Sequence, residues 1–288
     1  MIKVMLQAGL GNILFQYAAG RRLALQHGTS LQLNVGRYFV SNGFRQIKGL
    51  REFRRFAHAA EFYLPALRCL MRMVMGRHVA LTSAPLYCEK HFGFDPKVLE
   101  QPDGVCLSGY FQSEKYFKPV ATVIREELAF KSPSPHHDVA SLESEIRSCN
   151  AVAVSVRRGD YVGHPLHEVC TPAYYNRALA YIRAHVPAPR FFIFSDDIDW
   201  CRRNMAIAAS HFVDLRHCEA SAVEDLRLMR ACRHHIISNS TFAWWGAWLN
   251  AHADQIVVVP HKWFNDNKLN EWAMQDTVLP HWIRIEAS

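Results

Sequence analysis

The chain has 288 residues, half of them hydrophobic and 20% charged, enough to bury a core for one large domain or two ordinary ones and too apolar for wholesale disorder. Its 14 glycines and 13 prolines exclude collagen-like and low-complexity readings. The formal charge of +7 invites nucleic acid as a partner, but nearly all of it sits in residues 45–77, where Arg45, Lys48, Arg51, Arg54, Arg55, Arg68, Arg72 and Arg77 face only Glu52 and Glu61. Interleaved with Phe53, Phe56, Leu67 and Met71, that stretch reads either as solvated helices over an ordinary core or as a basic amphipathic element. The second reading would set its apolar side on a membrane surface or a neighbouring domain.

The eight cysteines are scattered without a Cys-x-x-Cys pair, and the sixteen histidines include no His-Glu-x-x-His. Reduced thiols and no metal site are the expectation. Residues 1–6 resemble a signal core, but Gln7 and Gly9 cut it short, and no apolar run reaches membrane-spanning length. The sequence predicts no leader, no anchor and a cytoplasmic chain.

In chain order, residues 2–6 have strand character and Gly9, Leu10, Gly11 and Asn12 make a tight turn. A helix follows over 13–27, with Asn12 as N-cap and Gly28 as its stop. Glycines before a helix start suit an anion. A dinucleotide fingerprint would need a third glycine near Leu14, and a P-loop would need Gly-Lys-Ser/Thr; neither is present. The Pro- and Ser-rich residues 131–137 read as a linker, dividing the chain into 1–135 and 136–288. From 151 the pattern is regular. Strands are expected at 151–156, 190–194, 211–215, 235–238 and 255–260. Between them run helices opened by Thr171-Pro172, by a Ser221-to-Glu224 capping box, and by Asn239-Ser240-Thr241. Such alternation implies βαβ units and a parallel sheet, with ligands beyond the carboxyl ends of its strands. Those ends carry Arg157 and Arg158, then Ser195, Asp196 and Asp197, then Asp214, then Asn239, Ser240 and Thr241: a rim suited to a nucleotide diphosphate. Asp197 and Asp199 together mimic an Asp-x-Asp metal site, a minority reading beside capping. Trp244 and Trp248 share one helix face and read as core.

Five blocks in order resemble the bacterial α-1,2-fucosyltransferases, the inverting, GDP-L-fucose-dependent glycosyltransferase family 11. They are Gly9-Leu10-Gly11-Asn12 with Phe15-Gln16-Tyr17; residues 109–117, starting Gly109-Tyr110-Phe111-Gln112; Arg157-Arg158-Gly159-Asp160-Tyr161; Phe194-Ser195-Asp196-Asp197; and residues 238–246, starting Ser238-Asn239-Ser240-Thr241. The resemblance implies an α/β, GT-B-like fold of two Rossmann-type domains facing a central cleft: an N-terminal acceptor-side domain and a C-terminal GDP-fucose-binding domain. Apart from the resemblance, the final stretch from Lys262 to Ser288 is expected to pack back across the first domain. The resemblance also implies no metal and no cofactor beyond the donor. The acceptor would be a galactose-terminated oligosaccharide or lipid-linked glycan, in O-antigen or lipopolysaccharide synthesis. The family usually carries His where this chain has Ser155, which leaves one base contact open and the phosphate contacts in place.

On that reading Arg157 grips the β-phosphate bidentately. Ser240 and Thr241 complete the cradle at a helix start. Gly11 and Asn12 reach the phosphate or the fucose from the opposite domain. Asp196 or Asp197 accepts from guanine, and Arg158 pairs with Asp160 to hold the loop. Asp160 is either that structural partner or the base that takes the acceptor proton, with His164, His167 and Glu168 close behind. Tyr110, Gln112 and Glu168 are assigned to the acceptor, although residues 110–112 read equally well as interdomain packing. The alternatives are another nucleotide sugar or linkage on the same fold, a metal-dependent transferase, and a non-catalytic glycan-binding module.

Overall fold

The computed structural model describes residues 1–34, 85–218 and 221–287, so the basic stretch 45–77 lies outside the described residues. The chain divides into two compact units, Met1–Ser132 and Pro133–Ser288, each an α/β unit on a parallel sheet. No helix among the described residues is long and apolar enough to cross a membrane, and the seven cysteines among them are free thiols.

The first unit runs β1 (Ile2–Met5), α1 (Leu10–Gln26), β2 (Leu31–Asn34), β3 (Leu86–Cys88), β4 (Cys106–Ser108) and α2 (Ala121–Glu127), with strand order β2-β1-β4-β3. Helix α1 begins earlier than expected, which corrects the assignment of Asn12 as its cap. The Gly9 carbonyl already accepts the amides of Asn12 and Ile13 at 3.0 and 3.1 Å, so the chain is helical from Leu10 and Gly9 is the N-cap. At the other end Gly28 adopts φ +59°. Its amide bonds the Leu25 carbonyl while that of Thr29 bonds Ala24, the Schellman pattern that closes a helix on glycine. Ile13, Leu14, Tyr17 and Ala18 bury the inner face of α1. Arg21 and Tyr17 both bond Glu127, tying α1 to α2.

The second unit runs α3 (His137–Arg147), β5 (Ala151–Val156), α4 (Pro172–His185), β6 (Arg190–Ser195), α5 (Ile198–Asn204), β7 (Ser210–Phe212), α6 (Ser221–Ala231), β8 (His234–Ile236), α7 (Thr241–Trp248), β9 (Val257–Pro260), α8 (Asn267–Trp272) and β10 (Ile283–Ile285). Its strand order is β10-β9-β8-β5-β6-β7, all parallel. Every residue of β5 is buried, as a central parallel strand requires. Thr171 caps α4 as expected, its hydroxyl accepting from the Tyr174 amide. The capping box is corrected: the Glu224 carboxylate accepts instead from Arg227 Nε at 2.8 Å, both side chains being buried. The closing segment forms the edge strand β10 of this sheet, paired with β9, and Thr171 bonds the Ala287 carbonyl. Trp244 and Trp248 stack at 5.9 Å in the core.

The order reverses at β5: the chain moves outward through β6 and β7, then returns to lay β8 against the other side of β5. The β5–β8 ladder ends at Val154 opposite Ile236. Ile237 still donates to Val258, but continuing that ladder would pair the Ile237 carbonyl with Pro260, whose nitrogen has no hydrogen. The Tyr174 hydroxyl supplies the missing donor at 2.6 Å, and the Tyr175 hydroxyl donates to Ser155 O at 3.3 Å. Buried carbonyls that the sheet abandons are thus satisfied from α4.

His235, fully buried on β8, bonds the Met229 carbonyl through Nε2, while its Nδ1 has no hydrogen-bond partner. Burial lowers its pKa to about 4 from the ordinary 6.5. The folded value lies below the unfolded one, so this contribution is present above pH 6.5 and is lost as pH falls toward 4. At roughly 1.4 kcal/mol per unit it amounts to about 3 kcal/mol. Urea titrations of wild type and His235→Gln at pH 7.5, 5.5 and 4.5 should show the stability difference between them shifting in favour of the variant as pH falls.

Candidate active site

A pocket opens where β5 and β8 part, at the switch point of the second sheet. Arg157, Arg158, Tyr161, His167, Trp200 and Asn239 line it, with Glu168 and Cys170. Arg157 extends from the end of β5 and is forked between two carboxylates, Nη1 to Asp196 at 3.0 Å and Nη2 to Asp160 at 2.6 Å. It also lies over the Tyr161 ring at 5.2 Å. Arg158 turns the other way. Its guanidinium sits 3.6 Å from the Trp200 ring centroid, its Nε reaches Asp197 at 3.3 Å, and its amide donates to Asp196 at 2.8 Å. The expected pair of Arg158 with Asp160 is therefore corrected: Asp160 belongs to Arg157 because the two arginines leave the strand in opposite directions.

Asp197 also caps α5, accepting from the Trp200 amide, and this fixes the indole beneath Arg158. Asp199 is engaged by Arg202 and Arg216, which also bind Asp214. Both carboxylates of the Asp-x-Asp look-alike are thus held by arginines. Among the described residues no three His, Cys, Asp or Glu side chains converge as metal ligands do.

Asn239 lies at the carboxyl end of β8 and acts as a tie. Its amide donates to the His167 carbonyl at 3.0 Å and to Trp263 at 2.9 Å, while its oxygen faces the Cys170 thiol at 3.7 Å. Ser195 is used locally, accepting from the Asp197 amide. Ser240 precedes α7 with no side-chain capping bond, and Thr241 opens that helix. Glu168 is exposed and accepts from Gly163. His167 stacks on Tyr161 at 4.9 Å and lies 4.5 Å from His164. Burial, with His164 second, lowers its pKa, and burial pushes Tyr161 up to about 12.

The first unit gathers its expected residues at its own switch point, between β1 and β4. Gln112 Nε2 donates to Asn12 Oδ1 at 2.7 Å, joining the exit of β4 to the first turn of α1, where Gly11 is buried. Tyr110 is 39% exposed beside them. The carboxylate of Glu89, just past β3, accepts the amides of Tyr110 and Phe111 at 2.7 and 2.9 Å, and burial pushes it up to about 7 against those two bonds.

Trp200 and Glu89 have no role assigned from the sequence, and His167 stands there only behind Asp160 as a candidate for the acceptor proton. A tryptophan three residues after an N-cap aspartate was a usable signal for the first; Glu89 had none, since its partners are 21 and 22 residues away.

The family model for glycosyl transferase family 11 matches residues 97–286. The chain belongs to glycosyltransferase family 11. It is 32% identical to an alpha-1,2-colitosyltransferase of Escherichia coli, over 98% of this chain and 97% of that one. The O-antigen biosynthesis glycosyltransferase WbnK of Escherichia coli is 29% identical over 97% of this chain and 99% of its own. Galactoside alpha-(1,2)-fucosyltransferase 1 of Bos taurus is 32% identical, over 49% of this chain and 40% of its own. This family 11 chain is a glycosyltransferase, and its matched region contains the whole switch-point pocket of the second unit.

A Cβ at Gly159 would collide with Asp196 Oδ2, the oxygen that holds Arg157. Gly159→Ala should therefore dislodge the fork and lower kcat/KM on the order of 10- to 100-fold, the range a displaced site group commonly costs. Thermal melts of the variant should stay near wild type.

Proposed function

We propose that this enzyme transfers L-fucose from GDP-L-fucose to the 2-hydroxyl of a terminal β-galactose, with inversion and without a metal. The observation that carries the reading is the fork of Arg157 at the β5/β8 switch point, on a chain of family 11. The acceptor oxygen attacks the anomeric carbon as its bond to the β-phosphate oxygen breaks, and that electron pair leaves with GDP. The charge growing on the leaving group needs a donor already in place, and a guanidinium whose orientation two carboxylates have fixed meets that need. Ser240 and Thr241 add the start of α7, and Arg158 on Trp200, with Asp196 and Asp197, forms the side toward guanine. Asp160 takes the acceptor proton. The arginine pairs on Asp197 and Asp199 support the metal-free reading.

Gly11, Asn12, Tyr110, Gln112 and Glu168 serve the fucose and the acceptor, a galactose-terminated or lipid-linked glycan. The reading includes the GT-B-like arrangement of an acceptor-side and a donor domain about a central cleft. It also includes work in the cytoplasm, in O-antigen or lipopolysaccharide synthesis, with peripheral membrane contact through residues 45–77. The E. coli relative named for colitose supports a second reading, GDP-colitose as donor, because a sugar lacking one hydroxyl would use the same phosphate contacts.

Incubation with GDP-fucose and lactose, followed by mass and linkage analysis, tests the first reading, with GDP-colitose run in parallel. α-1,2-Fucosyllactose formed undiminished in excess chelator is the expected result; preferential use of GDP-colitose would establish the second. Arg157→Ala should lower kcat about 100-fold or more.

A further inference from the structure

We propose that Glu89 is a positioning residue for the acceptor: its carboxylate holds the turn from Gly109 to Gln112 in the conformation that presents Tyr110 and sets the Gln112 amide on Asn12. This rests on the reading of that turn as the acceptor side. The turn does not hold its shape unaided. Phe111 sits at φ +53°, in the left-handed region that is unfavourable for a residue with a Cβ. Two things keep it there. Its ring is fully buried and packs edge-on against Tyr116 at 5.6 Å. Its amide and that of Tyr110 both point at Glu89, one to each carboxylate oxygen.

Successive amides converging on one carboxyl group form a nest, each amide here meeting its own oxygen. Glu89 is delivered to this nest by β3, its own amide bonding the Ser108 carbonyl at the end of β4 at 2.8 Å. Gly109 completes the fit, because a Cβ there would collide with Glu89. One residue beyond the nest, Gln112 is buried and bonded to Asn12 across the β1/β4 switch point. A fixed carboxylate therefore sets the register of one exposed aromatic ring and one buried amide.

The test uses the full-length enzyme with Glu89→Gln, Glu89→Ala, Gln112→Ala and the double variant Glu89→Ala/Gln112→Ala. Lactose and GDP-fucose are varied separately, and GDP affinity is measured by calorimetry. Glu89→Ala should raise the KM for lactose tenfold or more with GDP affinity within twofold of wild type. Glu89→Gln, which keeps one acceptor oxygen, should recover part of the loss. In the Gln112→Ala background, Glu89→Ala should cost much less than it does alone. Amide hydrogen exchange at Tyr110 and Phe111 should accelerate in Glu89→Gln. An unchanged lactose KM, additive losses in the double variant, or unchanged exchange at both amides would overturn the proposal. Wild-type enzyme that does not transfer from GDP-fucose to lactose refutes the functional reading instead, and the exchange measurement then decides the role of Glu89 in the turn by itself.

Discussion

The parting of β5 from β8 is the constraint on which the second unit depends. A parallel sheet that winds outward from one strand and then returns to its other side must leave a crevice between the two central strands, and it must leave backbone carbonyls behind there. Here the debt falls on Ser155 and Ile237, and it is met by adjacent tyrosines, Tyr175 and Tyr174, on the one helix that crosses beneath both strands. Because α4 is pinned to both strand ends, the loop between β5 and α4 is anchored at each end. That loop carries Arg157, Arg158, Asp160, Tyr161 and His167. Asn239 closes the arrangement from the β8 side by bonding the His167 carbonyl. The pocket is a consequence of topology, and its rigidity a consequence of hydrogen-bond satisfaction.

Its electrostatics follow from the same geometry. Two arginines meet three carboxylates in the loops after β5 and β6, so the cluster does not offer bare positive charge. What it offers is orientation. Each guanidinium is fixed by carboxylates and an aromatic face before any ligand arrives, so the ordering of two long side chains is already complete when a substrate binds. Arg157, forked between Asp160 and Asp196, and Arg158, flat on Trp200, are neighbours in sequence held by different partners.

Much of this was legible in the sequence. Strand–helix alternation from 151 onward gives the parallel sheet, and Thr171-Pro172 and Gly28 mark helix ends where the structure has them, because capping and left-handed closure depend on residues within one turn. The misreadings share a cause. Asn12 looked like a cap because the Gly9 carbonyl bonds that start the helix leave no trace in residue type. Glu224 looked like half of a capping box, yet Arg227, one turn on, claims its carboxylate. Arg158 was paired with Asp160 by proximity in sequence, whereas side chains that leave successive positions of a strand end point apart. Edge strand β10 has only three residues, too few to show a period. Each error lies where a tertiary partner overrides a local pattern.

The two units repeat one device with different chemistry. Both sheets reverse at a central strand, β1 in the first and β5 in the second, and both set polar side chains at the carboxyl end of the resulting crevice. In the second unit these are guanidinium forks and a helix start, groups whose strength lies in meeting anionic oxygen. In the first unit they are the amides of Asn12 and Gln112 and the phenol of Tyr110, neutral groups that donate and accept in equal measure. A sugar hydroxyl, itself both donor and acceptor, is matched by amides and aromatic faces, while a diphosphate is not. The charged member of the first cluster, Glu89, turns its oxygens toward backbone amides, so it shapes that surface without making it a site for cations. The proposed reading gives the anionic donor to the second crevice and the polyhydroxyl acceptor to the first, and the division of side-chain chemistry between the two supports that assignment.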